Sequence, residues 1–262
     1  MDHQQQVRQR ATLAATENLL SIEQMQPEGV IASALQGQLA AQGMSFVLGP
    51  QASWRRLYLL SLAGIAPLAA GRVLYQGRDL TQWEATAQEE LRQQLVCVMQ
   101  PMALLSVRNA RDNLLLPALY HGQPERLARA RMEQALAEIQ FAGDLTQLPA
   151  FLSPLERVQL ALVRARLLQP KIFLIEDPWL GLDWPDCASI EAALRLWSQD
   201  SYLLISGQAL DFAAQHAEAF FYVSAEHQAI YGSWSALLAS DSVSVRQYCH
   251  AYRSGHPPAQ RE

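Results

Sequence analysis

Gly43-Met44-Ser45-Phe46-Val47-Leu48-Gly49-Pro50-Gln51-Ala52-Ser53-Trp54-Arg55-Arg56 is a short apolar run closed by Gly-Pro and followed at once by helical character from Leu57 to Ala63. An apolar run bounded by turn residues reads as a strand. The same signal recurs at Leu95 to Met99, at Ile172 to Ile175 just before Glu176-Asp177-Pro178, at Tyr202 to Ile205 and at Phe220 to Val223. Helical patterns at 85–94, 186–198 and Leu210 to Ala217 separate these runs. Alternating apolar strands and helices predict a mostly parallel α/β sheet. Upstream, Leu19 to Ile22, Val30 to Leu39 and Val73 to Tyr75 read as further strands. Between Ala103 and about Arg166 the pattern is helical, with an amphipathic run from Gln123-Pro124-Glu125 through Ile139 and another from Ser153-Pro154 to Leu168. A serine cap followed by proline is a strong helix start.

The chain has 262 residues, half of them apolar, and 20 Lys+Arg against 25 Asp+Glu give a formal charge of −5. That length and apolar content predict a globular protein with a full core. The acidic balance argues against a nucleic-acid partner, which needs a basic face. Cys97, Cys187 and Cys249 are too widely spaced for a disulfide framework or a metal knuckle, which favours a reducing compartment. The opening residues show no charged segment followed by an apolar one, so no export signal is expected. The apolar stretch Leu57 to Ala70 is interrupted by Ser61, Gly64 and Pro67 and falls short of a membrane span. A soluble, cytoplasmic chain is the expectation.

The ordered landmarks resemble the nucleotide-binding subunit of ABC transporters. Gly49 to Arg56 stands at Walker A, Gln100 at the Q-loop, Leu152-Ser153-Pro154-Leu155-Glu156 at the signature motif, Ile172 to Asp177 at Walker B, Asp183 at the D-loop and Gly207 at the switch position. Gly71-Arg72-Val73 and Gly77-Arg78-Asp79-Leu80 match the family's sequence after Walker A, and Ser153 precedes Glu176 by the family's 23 residues. The likeness covers roughly residues 19–240. It implies a P-loop NTPase-like α/β core with a mixed, mainly parallel sheet and an inserted helical subdomain at about 101–168. Around an ABC ATPase-like domain at 18–240 lie a polar lead-in (1–17) and a C-terminal extension (241–262). Towards the C-terminus Gly232, Leu237, Ser240 and Val245-Arg246-Gln247-Tyr248 are similar to ATPases of MCE-associated lipid transporters.

Against the family pattern the site motifs are altered. A working Walker A loop uses small residues so that backbone N–H groups surround phosphate, a Lys for charge and a hydroxyl for Mg²⁺. Here Trp54 replaces the second Gly, Arg55 the Lys and Arg56 the hydroxyl residue. An Arg fork differs in shape from a point ammonium. Two readings stand for Gly49, Pro50, Trp54, Arg55 and Arg56: an altered anion site, or a structural turn without nucleotide. Of the 20 basic residues only Lys171 is Lys, so this subunit holds no displaced Walker Lys. At Walker B the family's Asp-Glu order is reversed. Glu176 as a metal ligand and Asp177 as a catalytic base stand against both acids merely capping a turn. Gly207 offers no imidazole, and residues 24–29 hold no aromatic platform for a base. In the signature, Pro154 removes a donor, Leu155 crowds the approach and Glu156 adds negative charge, while Ser153 survives as helix-start chemistry.

The resemblance therefore implies an ABC-type subunit with impaired ATP and Mg²⁺ binding, serving a structural or regulatory role in transport of lipid. It would dock on a membrane permease at the cytoplasmic side of an inner membrane, as a homodimer or beside another ABC ATPase. Apolar residues at 101–122, Met102 to Leu105 among them, either receive the permease or simply build the helical core. The alternatives are a divergent active ATPase, with Arg55 for Lys, Glu176 on Mg²⁺ and Asp177 as base, and a stand-alone interaction module. The segment 241–262 either reaches a neighbouring subunit or is flexible.

Overall fold

The computed structural model describes residues 18–82 and 85–253. The lead-in 1–17 and the last residues of the C-terminal segment, Pro257-Pro258 included, lie outside them. Among the described residues ten strands form two sheets. The first is antiparallel, in the order β2-β1-β4-β5, from β1 (Asn18–Pro27), β2 (Leu35–Ala40), β4 (Leu68–Tyr75) and β5 (Arg78–Asp79). The second has the order β10-β9-β3-β8-β7-β6. Its members are β3 (Gly43–Leu48), β6 (Leu95–Val98), β7 (Ile172–Glu176), β8 (Tyr202–Ser206), β9 (Ala219–Val223) and β10 (Gln228–Tyr231). All pair in parallel except β10, which runs antiparallel to β9 at the edge.

The predicted apolar runs become the interior of the second sheet because a parallel strand must be covered on both faces. Side chains alternate across a strand with period two, and the cores follow that rule. Phe46, Phe173, Ile175, Leu203, Ile205, Phe220 and Tyr222 enter the core on one face. Val47, Ile172, Leu174, Leu204, Phe221 and Val223 enter the core on the other. The first core is closed by α3 (Ala110–Tyr120), α4 (Glu125–Glu138), α5 (Pro154–Arg166), α6 (Trp184–Trp197) and α7 (Leu210–His216). The second is closed by the antiparallel sheet and α1 (Ala52–Leu62), with α2 (Ala85–Gln94) leading into β6.

Three departures from the sequence reading have local causes. The strand expected over Val30 to Leu39 is confined to β2, because a turn at Glu28-Gly29, with Gly29 at φ +83°, reverses the chain first. α1 starts at Ala52 rather than near Leu57, so Ser53 to Arg56 are helical. The C-terminal segment, expected either to reach a neighbour or to be flexible, is helical and packed on its own chain over its described part. α8 (Trp234–Leu238) and α9 (Val243–Arg253) pack on the chain's own sheet, with Leu237, Val245, Tyr248 and Cys249 buried and the Tyr248 ring edge-on to Tyr222. Among the described residues no helix is long and apolar enough to cross a membrane.

Candidate functional site

Three neighbouring parallel strands, β3, β8 and β7, end side by side and deliver Gly49, Gly207 and Asp177 to one place. Gly49 is required there. Its φ is +154°, and a Cβ would lie 2.0 Å from the Val223 carbonyl oxygen at the end of β9. Pro50 and Gln51 complete a loop of three residues before α1 takes over. Gln51 caps the helix with an extended backbone and no side-chain bond. The Arg55 N–H already points to the Gln51 carbonyl at 3.4 Å, as a helical amide does. Trp54 sits in the first turn of the helix, half-buried and with an ordinary backbone.

The two arginines turn inward. Arg55 is buried: its Nη1 donates to the Gly49 carbonyl at 2.6 Å, and its Nη2 lies 4.0 Å from Asp177 Oδ2. Its Nε has no partner. Tyr248 reaches the same spot from α9, hydrogen-bonded to the Gly49 backbone and close to the Arg55 charge. Burial pushes the Tyr248 hydroxyl well above the ordinary phenol value, against the pull of Arg55 and Gly49, so it stays neutral. Arg56 Nη1 donates both to Glu176 Oε2 at 2.9 Å and to the Gln100 carbonyl at 3.0 Å. The Gln100 N–H donates to that same Glu176 oxygen at 2.9 Å, and its side-chain Nε2 donates to the Asp177 carbonyl at 2.8 Å. The structure thus joins Gly49, Arg55, Arg56, Gln100, Glu176 and Asp177 in one connected network.

Asp177 adopts φ +38° and its N–H donates to the Ser206 carbonyl at 2.7 Å. Burial raises its carboxyl above the ordinary value, Arg55 lowers it and Glu176 raises it further. Gly207 faces this acid, and a Cβ there would stand 3.2 Å from Asp177 Oδ1. His216 lies away from the site, packed on Phe212 at 4.7 Å between ring centroids. Among the described residues no group of three or more His, Cys, Asp or Glu side chains is placed to hold a metal ion.

Ser153 and Glu156 belong to a different piece of chemistry. Ser153 Oγ accepts from the Glu156 N–H at 3.2 Å, while Glu156 Oε2 accepts from the Ser153 N–H at 2.7 Å, a complete capping box at the start of α5. Replacing Ser153 by Ala is expected to cost about 1 kcal/mol of stability in urea unfolding. The Arg55–Asp177 network should be untouched, because the box is local to one helix turn. Asp183 begins α6 as an exposed cap with no side-chain bond. Two participants escaped sequence reasoning: the inward course of both arginines, and Tyr248. The spacing of Val245, Tyr248 and Cys249 at i, i+3 and i+4 is a helical apolar stripe that signals the packing of α9.

A glycine-led loop between a buried parallel strand and a helix, opposite a strand ending in carboxylates, is a P-loop NTPase-like arrangement. A family model described as ABC transporter matches residues 35–179, more than half of the chain. The chain belongs to the ABC transporter family. It is similar to the probable ribonucleotide transport ATP-binding protein Mkl of Mycobacterium tuberculosis, 27% identical over 220 residues, which are 83% of this chain and 61% of that protein. The lipoprotein-releasing system ATP-binding protein LolD 1 of Rhodopirellula baltica is 29% identical over 172 residues, 65% of this chain and 73% of that protein. The chain therefore spans about three fifths of the length of its Mkl relatives. In fold it is similar to CbiO1 of Clostridium perfringens, part of the ABC transporter complex CbiONQ, with a TM-score of 0.73 at 16% identity over 91% of this chain and 98% of that one.

Proposed function

We propose that this chain is a structural or regulatory subunit of an ABC transporter, in which ATP binding and hydrolysis are impaired and the retained role is docking on a membrane permease. One observation carries the reading: the two arginines of the altered loop are spent internally. Arg55 bonds the loop's own Gly49 carbonyl, and Arg56 holds Glu176 and the Gln100 carbonyl. A guanidinium stands between the groups that would face a Mg²⁺ ion, and the Arg55 amide is used by its helix. The residues present do not fit Mg-ATP. A divergent ATPase with Arg55 in place of the Lys needs that side chain at the phosphates, whereas its side chain is 3% exposed. Titration calorimetry with Mg-ATP tests the reading. No heat supports it, and saturable micromolar binding overturns it.

For docking, the segment after Gln100 supplies a groove. A cavity of about 260 Å³ lies between β6 and α5, lined by Met99, Met102, Ala103, Pro117, Ala161 and Leu168 among others. Arg164 Nη2 donates to the Ala103 carbonyl at 2.8 Å and ties α5 to the groove's rim. An apolar groove with exposed Leu105 and Val107 beside it suits a short amphipathic helix of a permease. Ala103 is exposed, so Ala103→Glu is expected to leave folding within about 0.5 kcal/mol of the parent. Co-purification with the permease from solubilised membranes should be lost in that variant. The position would be peripheral, on the cytoplasmic side of an inner membrane. The relatives' names point to different cargo, ribonucleotide for Mkl and lipoprotein for LolD; the tail residues Gly232, Leu237, Ser240 and Val245 to Tyr248 favour lipid.

A further inference from the structure

In the parallel sheet β8 and β7 lie on one side of β3, and β9 and β10 on the other. The loop network with Glu176 and Asp177 occupies the first side. At the end of β9, on the second, lies a separate cavity of about 370 Å³. Three pieces of chain build it. Pro50 and Gln51 of the loop form one wall and the turn after β9 another. The third is α9, which presents Ser244, Gln247, Tyr248 and Ala251 at the spacing of one helix face. The floor is aromatic: Tyr222 and Tyr248 are buried and meet edge-on, with 5.7 Å between ring centroids. Their hydroxyls are already engaged, that of Tyr222 with Ser224 and Ser244, and that of Tyr248 with the Gly49 backbone. At the rim, Ser224 Oγ accepts from the His227 N–H at 3.0 Å and the Ser224 N–H donates to the His227 carbonyl at 2.9 Å. That four-residue turn holds Glu226 at its third position, exposed, and among the described residues no cation is bonded to it.

Concave sites of this size, mostly apolar with a few polar groups, take small organic molecules. The volume is room for roughly a dozen non-hydrogen atoms at the packing of liquid water. Among the described residues that line the cavity, Glu226 is the one that carries a charge. Arg55 is not among them and faces Asp177. A lone carboxylate at the rim attracts a cation and repels a phosphate or carboxylate ligand. We propose that this cavity binds a small organic amine, its apolar body against Tyr222, Tyr248 and Ala251 and its ammonium group at Glu226. The occupant bridges α9 and the first residues of the loop, and Tyr248 links it to Gly49. The inference does not depend on whether the loop holds nucleotide, because the cavity lies on the other side of β3 from the carboxylates.

Tryptamine, tryptophol and indole-3-acetate share an indole body and end in an ammonium, a hydroxyl and a carboxylate. Calorimetric titration of the full chain at about pH 7 is expected to give saturable tryptamine binding with a dissociation constant below about 1 mM. Tryptophol should bind roughly fivefold more weakly, and indole-3-acetate more weakly still. Glu226→Gln should remove the preference for tryptamine and leave tryptophol binding unchanged. Ala251→Phe fills the cavity from α9 and should weaken both by about tenfold or more. Unfolding curves will verify that the variants fold, and Glu226, exposed in its turn, decides the matter if the Ala251 variant does not. Absence of saturable tryptamine binding overturns the proposal. So does tryptamine binding that ignores Glu226→Gln, that is no tighter than that of indole-3-acetate, or that Mg-ATP displaces, since the probe then sits elsewhere.

Discussion

Mg-ATP in large excess is expected to leave the thermal unfolding curve of the purified chain where it was. A ligand present at a hundred times its dissociation constant stabilises the folded state by about 2.7 kcal/mol. For a domain of this size that is a shift of roughly 5–10 °C in Tm, so a flat result is informative. The expectation follows from the direction of the two arginines rather than from their identity. Trp54→Gly, Arg55→Lys and Arg56→Ser made together remove the guanidinium from Glu176 and return small residues to the loop. That triple variant is expected to regain a Mg-ATP-dependent rise in Tm. A shift in the parent chain would overturn the impaired-binding reading.

Arg55→Met is expected to cost about 3 kcal/mol of folding stability. Removing one partner of a buried pair leaves a charge without compensation, at about 3–5 kcal/mol. The lower end applies because Asp177 keeps 19% of its side chain in solvent and the pair is 4.0 Å apart. The loss should depend on pH. Burial and Glu176 raise the folded Asp177 carboxyl, and Arg55 is the influence that opposes them. Without Arg55 the folded value rises further above the unfolded value of about 3.9. A group whose folded pKa is raised contributes stability below its unfolded pKa and loses it as pH rises through the folded one. The deficit of Arg55→Met against the parent should therefore grow from about pH 4 towards pH 7. Adding Asp177→Asn should flatten that growth and recover most of the stability. Urea unfolding of the three proteins across that pH range decides it, and a pH-independent deficit would show that Asp177 is not the group left exposed to Arg55's removal.

The parallel sheet was legible because its strands are buried on both faces and carry unbroken apolar runs such as Phe173-Leu174-Ile175. The capping box at Ser153 was legible for the opposite reason: its chemistry is confined to four consecutive residues. The antiparallel sheet was less so. β4 opens with Leu68-Ala69-Ala70-Gly71, a largely exposed stretch, and Gly71 takes φ +75° where a Cβ would lie 2.0 Å from the Gln24 carbonyl oxygen. β10, four residues at the edge, gives too short a pattern to stand out. The site was half legible. The order of the landmarks placed Gly49, Gln100 and Glu176 in one plan, but a bond between residues 56 and 176 is a property of three dimensions. Sequence could name the arginines at 55 and 56 without saying that both turn inward.

The bond between Arg56 and Glu176 has a further consequence. A dissociable counter-ion comes and goes with its concentration in the surroundings, and chelators strip it away. A guanidinium bonded to its own helix is supplied once, at translation, and leaves only if the chain unfolds. Under the proposed reading, charge balance at Glu176 would therefore not follow the supply of divalent cations. Under the proposed reading the carboxylate would be a fixed part of the scaffold, at rest where a cycling site would alternate.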